Sequence, residues 1–201
     1  MNIKNQLPRI YLVRHGETAW TISGQHTGHT DIPLTQLGER NAVLLGERLK
    51  GLNFTAVYTS PLQRASRTCE LAGFGSVVQK DPDLMEWNYG EYEGITTADI
   101  QKKRPDWNVL RDGCPGGETI DEVAARALRV VARLKALNNG NVLIFSHGHF
   151  LRFVACAWLE LPKENVRFFM LKPTSISILS YEVRLSQPAI RLWNDDGHVE
   201  Q

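Results

Sequence analysis

Arg14-His15-Gly16-Glu17 follows directly on the apolar run Ile10-Tyr11-Leu12-Val13. A buried strand that ends this way presents a guanidinium beside an imidazole at the rim of a sheet. That pair suits an anion, and a neutral imidazole nitrogen is a competent nucleophile near pH 7. His147 stands at an equivalent place, after Val142-Leu143-Ile144-Phe145-Ser146. Arg64 comes one turn beyond Ala56-Val57-Tyr58-Thr59 and the turn Ser60-Pro61. Any one of these alone is an ordinary polar residue. Together, at matched strand ends, they form a constellation.

Such a set suits phosphoryl transfer, which depends on positioning and charge neutralisation. Arg14 and Arg64 would each present a planar fork of donors to phosphate oxygens. His15 would attack phosphorus in line and carry the phosphoryl group, while a protonated His147 would donate to an equatorial oxygen. The departing oxygen needs a proton. Glu86, in Glu86-Trp87-Asn88-Tyr89-Gly90, is the expected donor, its carboxyl kept protonated by desolvation against the flanking rings. Glu17 is the second candidate for that donor, although its place beside His15 better suits a structural role.

The elements that must position these residues alternate in type. A strand over Arg9–Val13 is followed by a loop of about twenty residues, whose Trp20, Ile22 and Ile32 predict an ordered binding loop. Pro33-Leu34-Thr35 opens a helix with Thr35 as N-cap and Leu37, Leu44, Leu45 and Leu49 on one stripe. Ala56–Thr59 is a buried strand, and Ser60 as cap with Pro61 at the first position predicts a helix start. A further strand is expected at Val77–Gln79. Glu118–Leu137 has the clearest helical period, with Thr119 and Glu122 at capping-box spacing and Asn138-Asn139-Gly140 as its stop. Val142–Phe145 is a strand, a helix runs on to about Leu159, and Ser175–Tyr181 and Ala189–Trp193 are two late strands. This order predicts an α/β fold: a three-layer α/β/α sandwich with a mainly parallel central sheet, over residues 1–201 as a single domain. In such sheets ligands bind beyond the carboxyl ends of the strands, where His15, Arg64 and His147 all fall.

With 42% apolar and 22% charged residues and a net charge of +1, the chain has no global attraction for nucleic acid or for a membrane surface. Three cysteines, Cys69, Cys114 and Cys156, lack framework spacing. Met1–Gln6 has no apolar core of a leader, and no stretch reaches transmembrane length, so a cytoplasmic protein is expected. His147-Gly148-His149 and His26-Thr27-Gly28-His29 with Asp31 offer imidazoles, but there is no Cys-rich cluster, His-Glu-x-x-His helix or compact acidic set. No metal is therefore expected. The early glycines match neither a P-loop nor a dinucleotide fingerprint, so no cofactor is expected either.

Leu12-Val13-Arg14-His15-Gly16-Glu17-Thr18 resembles the signature of the histidine phosphatase superfamily, in the branch shared with cofactor-dependent phosphoglycerate mutases. Thr59–Ala65 is similar to its second arginine motif, Glu86–Gly94 to its acid-donor loop and Ser146-His147-Gly148 to its second histidine. The resemblance covers almost the whole chain in order. It implies His15 as the phosphorylated nucleophile, Glu86 as proton donor, Arg14, Arg64 and His147 as the phosphate pocket, and no metal. Ser23–Gly28, Glu86–Gly94, Arg111–Cys114 and His147–Arg152 further resemble sedoheptulose bisphosphatase-like sugar phosphatases. That likeness implies that His26, Thr27, Tyr89 and Arg152 contact the sugar or a second phosphate. Thr21 departs from the asparagine of many superfamily members, and His26 from the subgroup's frequent tyrosine.

The activity expected is metal-independent hydrolysis of small sugar phosphates, such as sedoheptulose 1,7-bisphosphate or related bisphosphates, through phosphohistidine. The alternatives are a phosphoglycerate mutase and a non-catalytic sensor of a phosphorylated ligand. At 201 residues the chain is short for a mutase lid, and it keeps both nucleophile and acid. The partner expected is a small phosphorylated sugar, and the sequence is compatible with a homo-oligomer.

Overall fold

The computed structural model describes residues 7–137 and 140–200. The segment Met1–Gln6 and the helix stop at Asn138-Asn139 lie outside them. In chain order the elements are β1 (Arg9–Arg14), α1 (Ala19–Ser23), α2 (Gln36–Leu49), β2 (Ala56–Thr59), α3 (Gln63–Cys69) and β3 (Gln79–Lys80). There follow α4 (Thr97–Lys103), α5 (Val109–Asp112), α6 (Ile120–Ala136), β4 (Asn141–Ser146), α7 (Gly148–Trp158), β5 (Ile176–Tyr181) and β6 (Pro188–Asp195). The six strands form one sheet in the order β3-β2-β4-β1-β5-β6. The first four are parallel, while β5 runs antiparallel to both β1 and β6.

The central strands are continuous apolar runs because both faces of the sheet are covered. Ile10 and Leu12 of β1 pack with Val142 and Ile144 of β4 under α6 and α7, against Val123, Ala127, Val130, Phe150 and Val154. Tyr11, Val13, Leu143 and Phe145 point the other way, onto Leu45 and Leu49 of α2 and Cys69 of α3. Helix, sheet and helix thus form three layers. α6 begins as its sequence dictates: the Thr119 side chain accepts the Glu122 N–H at 3.2 Å and Glu122 accepts the Thr119 N–H at 2.8 Å. Thr35 caps α2 through the Gly38 N–H at 3.0 Å.

Several boundaries differ from the sequence expectation. α3 starts at Gln63, with Leu62 at its N-cap position and no side-chain bond there; the Ser60 hydroxyl accepts the Leu62 N–H, as expected of a cap, and also faces His147. β3 lies two residues later than Val77–Gln79 and is short and exposed at the sheet edge. The binding loop after β1 contains α1, closed by a reciprocal Thr18–Thr21 capping box. α4 and α5 have no clear apolar period; they are held locally by the caps Thr96 and Asn108. Leu137, at the end of the α6 stripe, is 38% exposed. Among the described residues no helix is long and apolar enough to cross a membrane.

Leu12 is fully buried at the centre of the sheet. Leu12→Ala should lower unfolding stability by about 2–5 kcal/mol, the range for a buried leucine that leaves a cavity, read from the urea midpoint at pH 7.5. A loss below about 1 kcal/mol would mean that β1 is not central to the core.

Candidate active site

The site begins with strand register. β1 pairs with β4 so that Arg14 lies opposite Ser146, and the next residue of each strand, His15 and His147, emerges at the same rim. The His15 N–H donates to the Ser146 carbonyl at 2.9 Å, and the two imidazole centroids are 5.2 Å apart. β2 adds the third element, since Thr59 lies opposite Phe145 and the Ser60 N–H donates to the Phe145 carbonyl at 2.9 Å.

His15 is 3% exposed. Its Nδ1 lies 2.7 Å from the Gly16 carbonyl. A carbonyl can only accept, so Nδ1 carries the proton and the lone pair sits on Nε2. Burial, reinforced by Arg64 and Arg14, holds this imidazole well below its ordinary range and keeps it neutral. His147 is also neutral, for burial and the nearby Arg64, His15 and Arg14 disfavour its charge. Ser60 Oγ accepts the Leu62 N–H at 3.3 Å and lies 2.8 Å from His147 Nε2. If its hydroxyl proton goes to Nε2, Nδ1–H is the remaining donor, and that atom is buried without a partner.

The arginines are anchored by their tips. Arg14 Nη1 donates to the Leu171 carbonyl at 2.5 Å. Arg64 Nη1 donates to Thr30 at 3.1 Å, and Nη2 to the Thr27 and Gly28 carbonyls at 3.2 and 2.7 Å. The forks are therefore partly engaged, and the Nε–H of each is buried and unpaired, as is that of Arg152. The loop that supplies these carbonyls is itself held by Glu93, which accepts the His29 and Thr30 N–H groups at 2.7 and 2.6 Å and the Thr30 hydroxyl. Thr174 holds the other side: at φ 61 its N–H is shared between the Arg14 and His15 carbonyls, each 3.1 Å away. Burial pushes Arg14 down to about 10, which leaves it a cation at neutral pH.

Glu86 is 5% exposed, and its carboxyl oxygens meet backbone N–H groups. Its Oε1 accepts the Trp87 and Phe150 N–H groups, each at 2.9 Å, and Oε2 the His149 N–H at 3.0 Å. The carboxyl thus rests on the first turn of α7. Trp87 turns away and stacks on Tyr89 with centroids 6.0 Å apart. The loop is clamped from behind by Arg126, which donates to Glu118 at 3.0 and 2.8 Å and to the Met85 and Glu86 carbonyls at 2.5 and 3.2 Å. Glu118 in turn accepts the Asn88 N–H at 2.9 Å. Glu17 accepts the Thr35 hydroxyl at 2.7 Å and braces the start of α2.

Arg14, His15 and Glu86 line one cavity of about 230 Å³ with His26, Thr27, Tyr89 and Arg152. Arg64 and His147 adjoin it, Arg64 held by the Thr27 and Gly28 carbonyls and His147 against the His15 ring. His26 packs on Tyr89 with centroids 4.8 Å apart. The Tyr89 hydroxyl, expected to face sugar, is bonded instead to His149 Nδ1 at 2.5 Å. Sequence reasoning missed His149, Ser60, Thr174 and the Arg126–Glu118 clamp. Arg126 did leave a signal: it falls on the buried stripe of α6 beside Val123 and Ala127. Cys69, Cys114 and Cys156 are free, and burial pushes the Cys114 thiol up to about 12. Among the described residues no three His, Cys, Asp or Glu side chains gather as they would to hold a metal ion.

Residues 10–196 match the model of the histidine phosphatase superfamily, branch 1, and the chain belongs to that superfamily. It is 40% identical to an acid phosphatase of Mycobacterium tuberculosis strain H37Rv, over 94% of each chain. It is 39% identical to sedoheptulose 1,7-bisphosphatase of Saccharomyces cerevisiae, over 77% of this chain and 68% of that protein. The solved structure of the Rv3214 product of Mycobacterium tuberculosis superposes with a TM-score of 0.87 at 38% identity, over 94% of this chain and 98% of that one. The chain is a phosphatase acting on phosphomonoesters.

His15, His147 and His149 are all held well below the ordinary histidine range, chiefly by burial. In the unfolded chain they take up protons near pH 6.5. Below that pH the unfolded state binds more protons, so their contribution to stability is complete above about 6.5 and falls as pH drops. The slope is at most about 1.4 kcal/mol per pH unit for each ring. Urea unfolding at pH 7.5, 6.0 and 5.0 should show the midpoint falling steadily. A midpoint that holds or rises toward pH 5 would mean that these rings are charged in the fold.

Proposed function

We propose that the chain hydrolyses small sugar phosphates, sugar bisphosphates foremost, through a phosphohistidine and without a metal. One observation carries this reading. Arg14 Nε, Arg64 Nε, Arg152 Nε and His147 Nδ1 are four buried nitrogens without protein partners, and all belong to the site around His15. Buried donors are normally paired, and a phosphate would meet them.

In the first half-reaction His15 Nε2 attacks phosphorus as the bond from phosphorus to the sugar oxygen breaks. Glu86 gives its proton to that oxygen. Arg14, Arg64 and His147 stabilise the charge on the equatorial oxygens. In the second half-reaction the ionised Glu86 takes a proton from water, which attacks phosphorus. Phosphate leaves, and Nε2 regains its lone pair. The arginines supply the positive charge that a metal supplies in other phosphatases. His26, Thr27 and Tyr89 form the wall for the sugar, and Arg152 receives a second phosphate. The resemblance to a sedoheptulose bisphosphatase supports that substrate class.

Phosphate release in EDTA from sedoheptulose 1,7-bisphosphate, fructose 1,6-bisphosphate, ribose 5-phosphate and 3-phosphoglycerate tests the reading. His15→Ala should lose at least about 10³-fold in kcat, the scale of losing a covalent nucleophile, together with any acid-labile phosphoenzyme. Arg152→Gln should raise KM for the bisphosphates about tenfold or more, the range for a charge-assisted bond. Isomerisation of 3-phosphoglycerate without release from any sugar phosphate would overturn it in favour of a mutase.

A further inference from the structure

The Tyr89 hydroxyl and His149 Nδ1, 2.5 Å apart, fix more than a contact. Tyr89 is 2% exposed, and among the described residues its hydroxyl has no other partner than that nitrogen. If Nδ1 carried the proton, the phenol hydrogen would be left buried with nothing to receive it, which is unfavourable. The O–H therefore donates to Nδ1, and the imidazole proton lies on Nε2. Burial keeps the phenol protonated, and burial together with Arg152 keeps the imidazole neutral, in agreement with that arrangement. The ring is set edge-on to Trp87, with centroids 6.1 Å apart. His149 lines the cavity, and Nε2 has no protein partner among the described residues.

Resting on the function proposed above, we infer that His149 is a substrate-binding residue whose Nε2–H donates to an uncharged oxygen of the sugar, with Tyr89 as the residue that fixes its direction. The arginines around the cavity are charged donors suited to phosphate. His149 is a neutral donor in the same cavity lining as Arg152 and Arg14, both of which are near enough to oppose its protonation. Its backbone N–H is separately committed to Glu86 at 3.0 Å, so a side-chain substitution leaves that support in place. The side chain thus reads hydroxyl or carbonyl oxygens, and the neighbouring cations read phosphate.

Two measurements test this. In the first, ring nitrogen NMR of selectively labelled protein should show His149 with Nε2 protonated and Nδ1 unprotonated at pH 7.5. Tyr89→Phe should shift the population toward the other tautomer. The reverse pattern in the native protein would overturn the assignment. In the second, His149→Leu and His149→Gln are compared on a sugar bisphosphate and on p-nitrophenyl phosphate, which has no sugar oxygen. His149→Leu should raise KM for the sugar about 3- to 10-fold more than for the aryl ester, the range of one neutral hydrogen bond. His149→Gln, which keeps an N–H donor, should recover part of that difference. Equal effects on both substrates would overturn the proposal. If native protein shows no His15-dependent hydrolysis of p-nitrophenyl phosphate, the phosphohistidine reading fails first, and the NMR result still stands or falls by itself.

Discussion

The parallel register of β1 against β4 is the constraint on which the site depends. Arg14 opposite Ser146 means that the chain leaves both strands at one level, and the imidazoles of His15 and His147 meet with no long side chain to bridge the gap. A slip of one residue would turn each strand over, exchanging the two apolar faces and sending His15 away from His147. Because both faces are apolar, that slip is opposed by the fit of Ile10 and Leu12 into one layer and of Tyr11 and Val13 into the other. Core packing and site geometry are therefore set by the same residues.

A cluster of buried nitrogens at a sheet rim is expensive unless its members have partners. The fold meets part of that demand with carbonyls rather than carboxylates. Leu171 holds Arg14, and Thr27, Gly28 and Thr30 hold Arg64. Carbonyls fix a guanidinium without cancelling its charge, so the field around His15 stays positive. Glu86 shares the cavity wall with Arg14 but gives its oxygens to backbone N–H groups, while Glu93 holds the loop that holds Arg64, and Glu118 pairs with Arg126 behind the Glu86 loop. An acid directly on Arg14 or Arg64 would compete with an incoming phosphate.

The sheet, its long helices and the four motifs were legible because each leaves a local signature: apolar runs, a 3.6-residue stripe, a cap such as Thr119 with Glu122. The short helices α1, α4 and α5 were not, since caps hold them and no apolar period marks them. Ser60 shows how one atom can have two readings. As a serine before proline it suggests a helix cap, but its hydroxyl also lies against His147 across 87 positions of sequence. Likewise the rings beside Glu86 suggested an apolar setting, whereas α7 presents backbone N–H groups to its carboxyl. Thr174, Arg126 and His149 act through contacts distant in sequence, which residue type and spacing alone do not reveal.

The same charges bear on both binding and attack. Arg14 and Arg64 oppose protonation of His15, and so keep Nε2 available before phosphate arrives. Once a dianion lies between them, that opposition is largely offset, and a proton on Nε2 would end nucleophilicity at the moment it is needed. The geometry answers this with scarcity of protons. His15 Nδ1–H is tied to Gly16, and the Arg14 guanidinium retains its protons at neutral pH. Under the proposed mechanism the proton needed at the departing oxygen comes from Glu86, on the opposite side of the cavity chemistry from Nε2. A site built from neutral imidazoles and carbonyl-anchored guanidinium groups can thus hold a phosphate tightly without protonating the atom that attacks it.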